Sequence, residues 1–464
     1  MSGTHAMDES TLRERMALAV ADSRLRSSLH DATSTLADRK REAYGQIENP
    51  ERLRTAARWA KSQILSRLPE VLDRLATNLE MAGATVHWAT DDAEARRVVT
   101  GIAAQHGVRK VVKSKSMLSE EIGLNAALEQ TGIEVTETDL GEWIIQIAGE
   151  APSHIIVPAV HKDRIQVRDA LQTVADVKLS DAPEELAAFA RATLRRRFLE
   201  ADMGISGVNF GVAETGTLVL VTNEGNGRMS TTVPPVHVAL LGMERVVESW
   251  DQLDIMLALL TRAATGQAIT TYVSAITGPR RRESHGPDEV HVVVVDNGRT
   301  EILGTEFTEM LACVRCGACL NACPVYAVTG GHAYGWVYPG PMGAVLTPLL
   351  ARSEAAGEIP NASSLCGACW EACPVGIPLQ DMLLSLRRRH AENSSNAERL
   401  GWAAWAHVWA HPASYRASLR ASSIGSKLID PGRIPGLPRR WAEGREVPDV
   451  APKSFRRMWK ERGQ

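Results

Sequence analysis

Cysteine is missing from most of the chain: all seven lie between Cys313 and Cys373 of a 464-residue sequence. No thiol is left over to staple the remainder by disulfides, and clustered cysteines without such a framework point to metal or redox chemistry. Long apolar runs are missing too. The opening MSGTHAMDEST has no apolar stretch after a basic start of the kind a secretory signal needs, and no uninterrupted run is long enough to span a bilayer, so the sequence reads as soluble and cytoplasmic. Aromatic residues make up only 5% of the chain, and no nucleic-acid recognition motif accompanies them, which argues against nucleic acid as a partner. There is no internal repeat apart from the paired cysteine motifs, and no low-complexity tract. The net charge of −3 is small but unevenly spread: from Arg387 onward sixteen Lys and Arg face seven Asp and Glu, a local +9 that leaves −12 for the rest. A basic tail behind an acidic body suits an acidic partner subunit or peripheral contact with the inner membrane face; a merely solvated tail fits as well.

What is present is concentrated in two stretches, CVRCGACLNACP (Cys313 to Pro324) and SSLCGACWEACP (Ser363 to Pro374). The first has the spacing CxxCxxCxxxCP, in which three thiolates wrap one iron–sulfur cluster and the fourth, held by the turn before proline, reaches a second cluster. Zinc sites use CxxC pairs as two knuckles supplying four ligands in all, a pattern that seven thiols in this order do not follow. The crossover rule predicts one cluster on Cys313, Cys316, Cys319 and Cys373, and another on Cys366, Cys369 and Cys323. Where an eighth cysteine belongs, three residues before Cys366, stands Ser363. Its hydroxyl gives up a proton far less readily than a thiol, so water, a partner's side chain or a missing iron is expected at that corner.

About three hundred residues precede the first cysteine, too many for a ferredoxin alone. The region 1–82 is helical, with apolar positions recurring at three and four in PERLRTAARWAKSQILSRLPEVLDRLATNLEMAG. Beyond it, β-rich runs alternate with helical ones: ATVHWA, DAEARRVVTGIAAQHG, KVVKSK, IGLNAALEQTG, IEVTET, LGEWIIQIAG and HIIVPA. This predicts βαβ units on a largely parallel sheet. Strands resume at GVNFGVAETGTLVLVTNEG, VHVALLG, TTYVSA and VHVVVVD as a continuation of the same α/β domain, spanning 83–304. A cysteine-bearing domain follows over 305–390, with GGHAYGWVYPGPMGAVLTPLL as an apolar helix packed over the clusters, and then a basic Trp-containing region over 391–464.

In the α/β domain the best catalytic candidate is AETGT, where Glu214 would serve as a base, Thr215 and Thr217 offer hydroxyls and Gly216 admits a ligand to the backbone; a tight hairpin turn with an exposed acid explains the same residues. GNGRMS imitates half a dinucleotide fingerprint, but Pro234 and Pro235 follow where its helix should begin, which excludes nicotinamide binding there. Lys113 and Lys115, and Arg280, Arg281 and Arg282, are basic groups able to hold a carboxylate, although a solvated surface accounts for either set. His161, His237 and His332 each read as isolated structural histidines, His332 being near enough to the cysteines in sequence to couple a proton to electron transfer. Trp402, Trp405 and Trp409 share one helix face, normally a core stripe but here beside basic residues, where subunit docking is the alternative.

The segments KSKSMLSEEIGLN, TETDLGEWIIQIAGEAPSHIIVPAVH, NFGVAETGTLVLVTNEGNGRM and GGHAYGWVYPGPMGAVLTPLL, together with the seven cysteines, resemble the lactate-utilisation protein B family over nearly the whole chain. The resemblance implies an N-terminal LUD domain with a fold similar to ribose-phosphate isomerase and CoA-transferase domains, followed by an α-helical ferredoxin-type module with two 4Fe-4S clusters. It also implies the three-cysteine second motif, so Ser363 is no departure from the family; the weak corner at Ser363 is what makes that cluster convertible to a 3Fe-4S form. The expected function is electron transfer within an assembly that oxidises L-lactate to pyruvate, with other lactate-utilisation subunits as partners. Whether hydride or proton abstraction happens in this α/β domain or in a partner is left open. Competing readings are an isomerase or acyl-transfer enzyme whose clusters are structural or regulatory, and a scaffold that only docks subunits; lactate-dependent one-electron reduction separates them from electron transfer.

Overall fold

The computed structural model describes residues 7–281, 284–392, 396–425 and 453–462. The chain divides into two compact units, Met1–Arg389 and His390–Gln464. In the first, six strands form a wholly parallel sheet: β1 (Thr85–Ala89), β2 (Lys110–Lys113), β3 (Glu134–Glu137), β4 (Met203–Gly207), β7 (Val236–Gly242) and β10 (Glu289–Val295), in the order β1-β10-β7-β4-β2-β3. The central strands β7 and β10 are covered on both faces, which is why VHVALLG and EVHVVVV are unbroken apolar runs and not alternating ones. From β2 the chain steps outward to β3 and then returns to place β4 on the other side of β2. Such a reversal opens a crevice beyond the carboxyl ends of the strands.

Two strand expectations change. The strands around AETGT do not continue the parallel sheet; β5 (Phe210–Val212), β6 (Thr217–Thr222), β8 (Val246–Val247) and β9 (Tyr272–Ile276) form a separate mixed sheet in the order β8-β5-β6-β9. The short turn after β5 forces β6 back antiparallel, with Phe210 opposite Val219 and Val212 opposite Thr217. HIIVPA is a buried loop and not a strand. The His154 ring takes the N–H groups of Ile156 and Val157 on Nδ1 (3.0 and 3.1 Å), and Ser153 donates its N–H to the Pro158 carbonyl (3.0 Å), so the backbone is satisfied locally without a sheet partner. The cysteine module sits on this loop: Tyr326 donates its hydroxyl to the Ser153 carbonyl (2.7 Å) and Gly331 its N–H to Ser153 Oγ (3.1 Å). A Cβ at Gly331 would lie 1.9 Å from the Ser153 carbonyl oxygen, so only glycine permits the approach.

The expected N-terminal helices are present as Leu12–Ala21, Ser23–Gly45, Pro50–Ser66 and Leu68–Met81. Each start carries its signal, as where Asn49 accepts the Arg52 N–H ahead of Pro50 at the first helical position. Their apolar faces, including Leu29, Ile64, Leu68 and Leu75, merge into one core with the second sheet and the cysteine module. Polar bonds fix the same arrangement: Arg54 donates to the carbonyls of Cys373 (2.9 Å) and Trp370 (2.6 Å), and Lys61 to the Glu244 carbonyl (2.6 Å). Helix Gly340–Leu350, apolar on almost every side, is correspondingly buried almost throughout.

The second unit contains helices Asn396–Ala410, Pro412–Gly425 and Phe455–Arg462. Trp402, Trp405 and Trp409 are 62%, 52% and 47% exposed, so among the described residues the stripe is not core packing. Trp405 and Trp409 stack on one another with centroids 5.3 Å apart. Among the described residues no helix is long and apolar enough to cross a membrane.

Candidate metal centre and the adjoining cavity

The two cysteine motifs fold as matching loops. Gly317 and Gly367 are left-handed (φ 75° and 85°), as are Arg315 and Leu365 two positions earlier (φ 57° and 55°), and a short helical turn follows each. These turns aim successive thiols inward. Cys313, Cys316, Cys319 and Cys373 line one small cavity walled mainly by apolar side chains, among them Ile155, Met310, Met342, Val375 and Ile377. Burial, then the neighbouring charges of Cys373 and Cys313, push the Cys316 thiol up to about 12. Cys319 is raised by burial and then by Cys313, Cys316 and Cys373. In the second set, burial and then Cys323 and Cys366 push Cys369 up to about 11. Cys323 is raised by burial, with Cys366 adding to it. These mutual shifts report how closely the thiols crowd one another, and several free thiols converging on one small space are the ligand set of a shared metal group. Only Cys366 is exposed, and the Ala368 N–H lowers its pKa.

Ser363 occupies in the second loop the place of Cys313 in the first. Its Oγ accepts the Leu365 N–H at 3.1 Å, as Cys313 Sγ accepts that of Arg315 at 3.5 Å. Cys373 Sγ takes a further N–H from Ile377 (3.4 Å). Hydrogen bonds to cluster sulfurs of this kind set reduction potential.

Beside the first cysteine set lies a cavity of about 290 Å³ at the carboxyl ends of β2, β4 and β7, lined among others by Lys115, Asn226, Glu244, Arg245, Arg299 and Arg315. Arg315, between Cys313 and Cys316, faces both cavities. A buried charge network forms the floor. Arg299 makes a two-pronged pair with Glu121 (2.8 and 2.8 Å) and reaches Glu244 at 2.7 Å; Tyr338 and Asn297 donate to Glu121 at 2.5 and 2.8 Å. Arg315 approaches Glu244 at 3.4 Å and lies over the Tyr338 ring, while Arg245 donates to the Cys313 carbonyl (2.9 Å). Burial works to raise Glu244, but Arg299, Arg315 and Arg245 hold it at about 2. None of Glu121, Glu244, Arg245, Arg299 and Tyr338 stood out in the sequence; the available signal was a charge set directly beside an apolar run, as in LLGMER and VVVVDNGR.

The other candidates fall as follows. Glu214 is exposed on the hairpin turn, where its carboxylate accepts the Trp250 N–H (3.2 Å), and it does not line the large cavity. Thr215 and Thr217 hydrogen-bond each other (2.8 Å). The solvated-surface reading of the KSKS lysines is overturned: Lys113 is 1% exposed and paired with Glu120 and Glu137 at 2.9 and 2.7 Å, and Lys115 lines the cavity, because β2 ends inside the molecule. Arg280 and Arg281 are exposed, Arg280 pairing with Asp288, and Arg282 lies outside the described residues. His161 and His332 are not isolated but adjacent, with ring centroids 4.6 Å apart; His161 bonds Glu150 (2.7 Å) and His332 the Ala151 carbonyl (2.7 Å). His237 is buried on Ser206 Oγ (2.8 Å). GNGRMS does begin a helix, Asn226–Thr232, which the prolines terminate instead of preventing.

A parallel α/β domain joined through one core to a helical, ferredoxin-type module defines an iron–sulfur protein. Family models agree in order along the chain: LUD domain over residues 72–295, 4Fe-4S dicluster domain over 309–377, and Lactate utilisation protein B, C-terminal, over 385–464. A Lactate utilization protein B from Shouchella clausii is 44% identical over 98% of this chain and 98% of its own. One from Bacillus subtilis is 46% identical over 83% of this chain and 81% of its own. Among solved structures, a DUF162 family protein from Deinococcus radiodurans matches 49% of this chain and 98% of its own at 14% identity and a TM-score of 0.29, too low to carry an argument. The chain belongs to the lactate utilization protein B family.

Proposed function

We propose that this chain is the electron-transfer subunit of an assembly that oxidises L-lactate to pyruvate, working with other lactate-utilisation proteins. In this reading Cys313, Cys316, Cys319 and Cys373 hold one 4Fe-4S cluster, and Cys323, Cys366 and Cys369 hold a second whose fourth corner faces Ser363. The observation that carries it is the exchange of one cysteine between motifs: Cys373 lines the cavity of the first set, and Cys323 lies with Cys366 and Cys369. When bound, the clusters supply one-electron steps, and two of them match the two electrons released per lactate. The protein's own part is to exclude water with helix Gly340–Leu350 and the 151–160 loop, to aim backbone N–H groups at sulfur, and to keep Cys316, Cys319 and Cys373 buried while Cys366 meets solvent.

The test is Cys373→Ser in anaerobically reconstituted protein, read by iron and sulfide content and paramagnetic resonance. The expected result is loss of the signal from the cluster on Cys313, Cys316 and Cys319, with the other retained. Loss of only the cluster on Cys366 and Cys369 refutes the crossed assignment. Absence of lactate-dependent reduction in the complex with its partner subunits refutes the electron-transfer role.

A further inference from the structure

The large cavity contains polar groups that nothing in the protein satisfies. Arg299 is used up by Glu121 and Glu244, and Arg245 donates to the Cys313 carbonyl. Three lining atoms are left buried with no hydrogen-bond partner: Lys115 Nζ, Arg315 Nη1 and Asn226 Oδ1. The nearest acid to the ammonium is Glu142, 3.9 Å away. Burial pushes that carboxyl up to about 8, so it is a weak counter-ion near neutrality, and at 3.9 Å it makes no hydrogen bond to the ammonium. Buried donors without partners are costly, charged ones most of all, and where several line one cavity a bound molecule that completes them together is the economical explanation.

The three open atoms define the ligand. Two unpartnered cationic donors lining one cavity call for an anion, and an unfilled amide oxygen calls for a hydroxyl or amine donor on the same molecule. Asp139 and Glu224 also line the cavity, which disfavours a second negative charge and so a phosphate dianion. We propose that this cavity is a binding site for a small 2-hydroxy carboxylate, its carboxylate taken by Lys115 and Arg315 and its hydroxyl by Asn226. The volume of about 290 Å³ exceeds what a three-carbon acid fills, so longer 2-hydroxy acids enter as well. Arg315 is shared with the first cysteine set, so a bound carboxylate partly neutralises one of the cationic charges beside that set; this second part rests on the electron-transfer reading above.

The experiment is calorimetric titration of anaerobic holoprotein with L-lactate, with propionate (the same acid without its hydroxyl) and with inorganic phosphate, in the natural chain and in Lys115→Met. Expected are one-to-one binding of L-lactate, binding of propionate weaker by at least about tenfold, and a similar loss for L-lactate in Lys115→Met, the factor that losing one charged or buried hydrogen bond implies. Iron content should be unchanged in the variant. The paramagnetic resonance of the fully reduced first cluster should shift on adding L-lactate to the natural chain and not to the variant. Absence of lactate binding, or unchanged affinity in Lys115→Met, overturns the site. Propionate binding as tightly overturns the hydroxyl contact, and competition by phosphate overturns the monocarboxylate class. Binding by a protein with no cluster on the first cysteine set would sink the electron-transfer reading while leaving the site standing.

Discussion

Replacing Arg299 by Met tests the charge network beneath the cavity. The guanidinium is 2% exposed and holds Glu121 and Glu244, themselves 0% and 2% exposed. Glu244 moves from 4.5 to about 2, and at 1.36 kcal/mol per pKa unit that corresponds to about 3 kcal/mol favouring its charged form in the fold. Arg299 is the leading attraction on both carboxylates, so its loss forfeits most of this and leaves two buried acids short of a partner. Breaking such a buried pair costs about 3–5 kcal/mol. The unit unfolding is Met1–Arg389, and at about 2.1 cal/mol/K per residue its unfolding entropy is about 0.8 kcal/mol/K, so the midpoint should fall by about 4–6 °C. The pH dependence has a definite sign. In the natural protein the depressed Glu244 contributes stability that is full above 4.5 and lost only as pH falls toward 2, so between pH 5 and 8 it is flat. In the variant burial raises both carboxyls above their unfolded values, so stability falls as pH rises from 4.5 through those raised values. The deficit should therefore be larger at pH 8 than at pH 5, measured by anaerobic calorimetry and urea titration. A deficit under about 1 kcal/mol at pH 8, or one that shrinks with rising pH, refutes the reasoning.

Ser363→Ala should change little in iron content, whereas Ser363→Cys should protect the fourth iron of the second cluster against mild oxidation to a three-iron form, followed by paramagnetic resonance; loss of the whole cluster in the alanine variant would make serine a true ligand. A chain ending at Arg389 retains the whole first compact unit and should keep its iron while losing association with partner subunits or anionic vesicles, and association of the full chain should weaken with salt. Unchanged co-sedimentation of the shortened chain would dispose of a docking role for the exposed tryptophans and basic tail.

The thiol pattern was legible because cluster ligands are supplied by tight turns, which fix their spacing in sequence. The parallel sheet was legible because strands covered on both faces leave unbroken apolar runs such as VHVVVV. The cavity was not. Its charged floor draws Glu121, Glu244, Arg299 and Tyr338 from four separate segments, and no local period relates them. Lys113 and Lys115 resembled surface residues because lysine usually is one, and what buries them is tertiary: β2 runs between β4 and β3 and ends inside the molecule, where Lys113 meets Glu120 and Glu137. HIIVPA misleads for a different reason: an apolar run reports burial, not conformation, and here the His154 ring supplies the acceptor that a neighbouring strand would otherwise provide.

The first helices of the chain hold its cysteine module. Arg15 donates to the Ala333 carbonyl, Lys40 to that of Ala372 and Arg54 to that of Cys373, across more than three hundred residues of sequence. During synthesis those helices emerge long before anything they pack against, and their apolar faces must wait for the C-terminal third. Loading of iron and sulfide then has a time window. The thiols are reachable while the two ends of this unit are apart, and once the helices close over them five are buried, Cys313 is half-buried and Cys366 alone stays exposed. A protein that closes before its metal arrives would be well packed, soluble in appearance and inert, so expression without sufficient iron delivery should accumulate a compact empty form that later iron fills slowly and first from the Cys366 side.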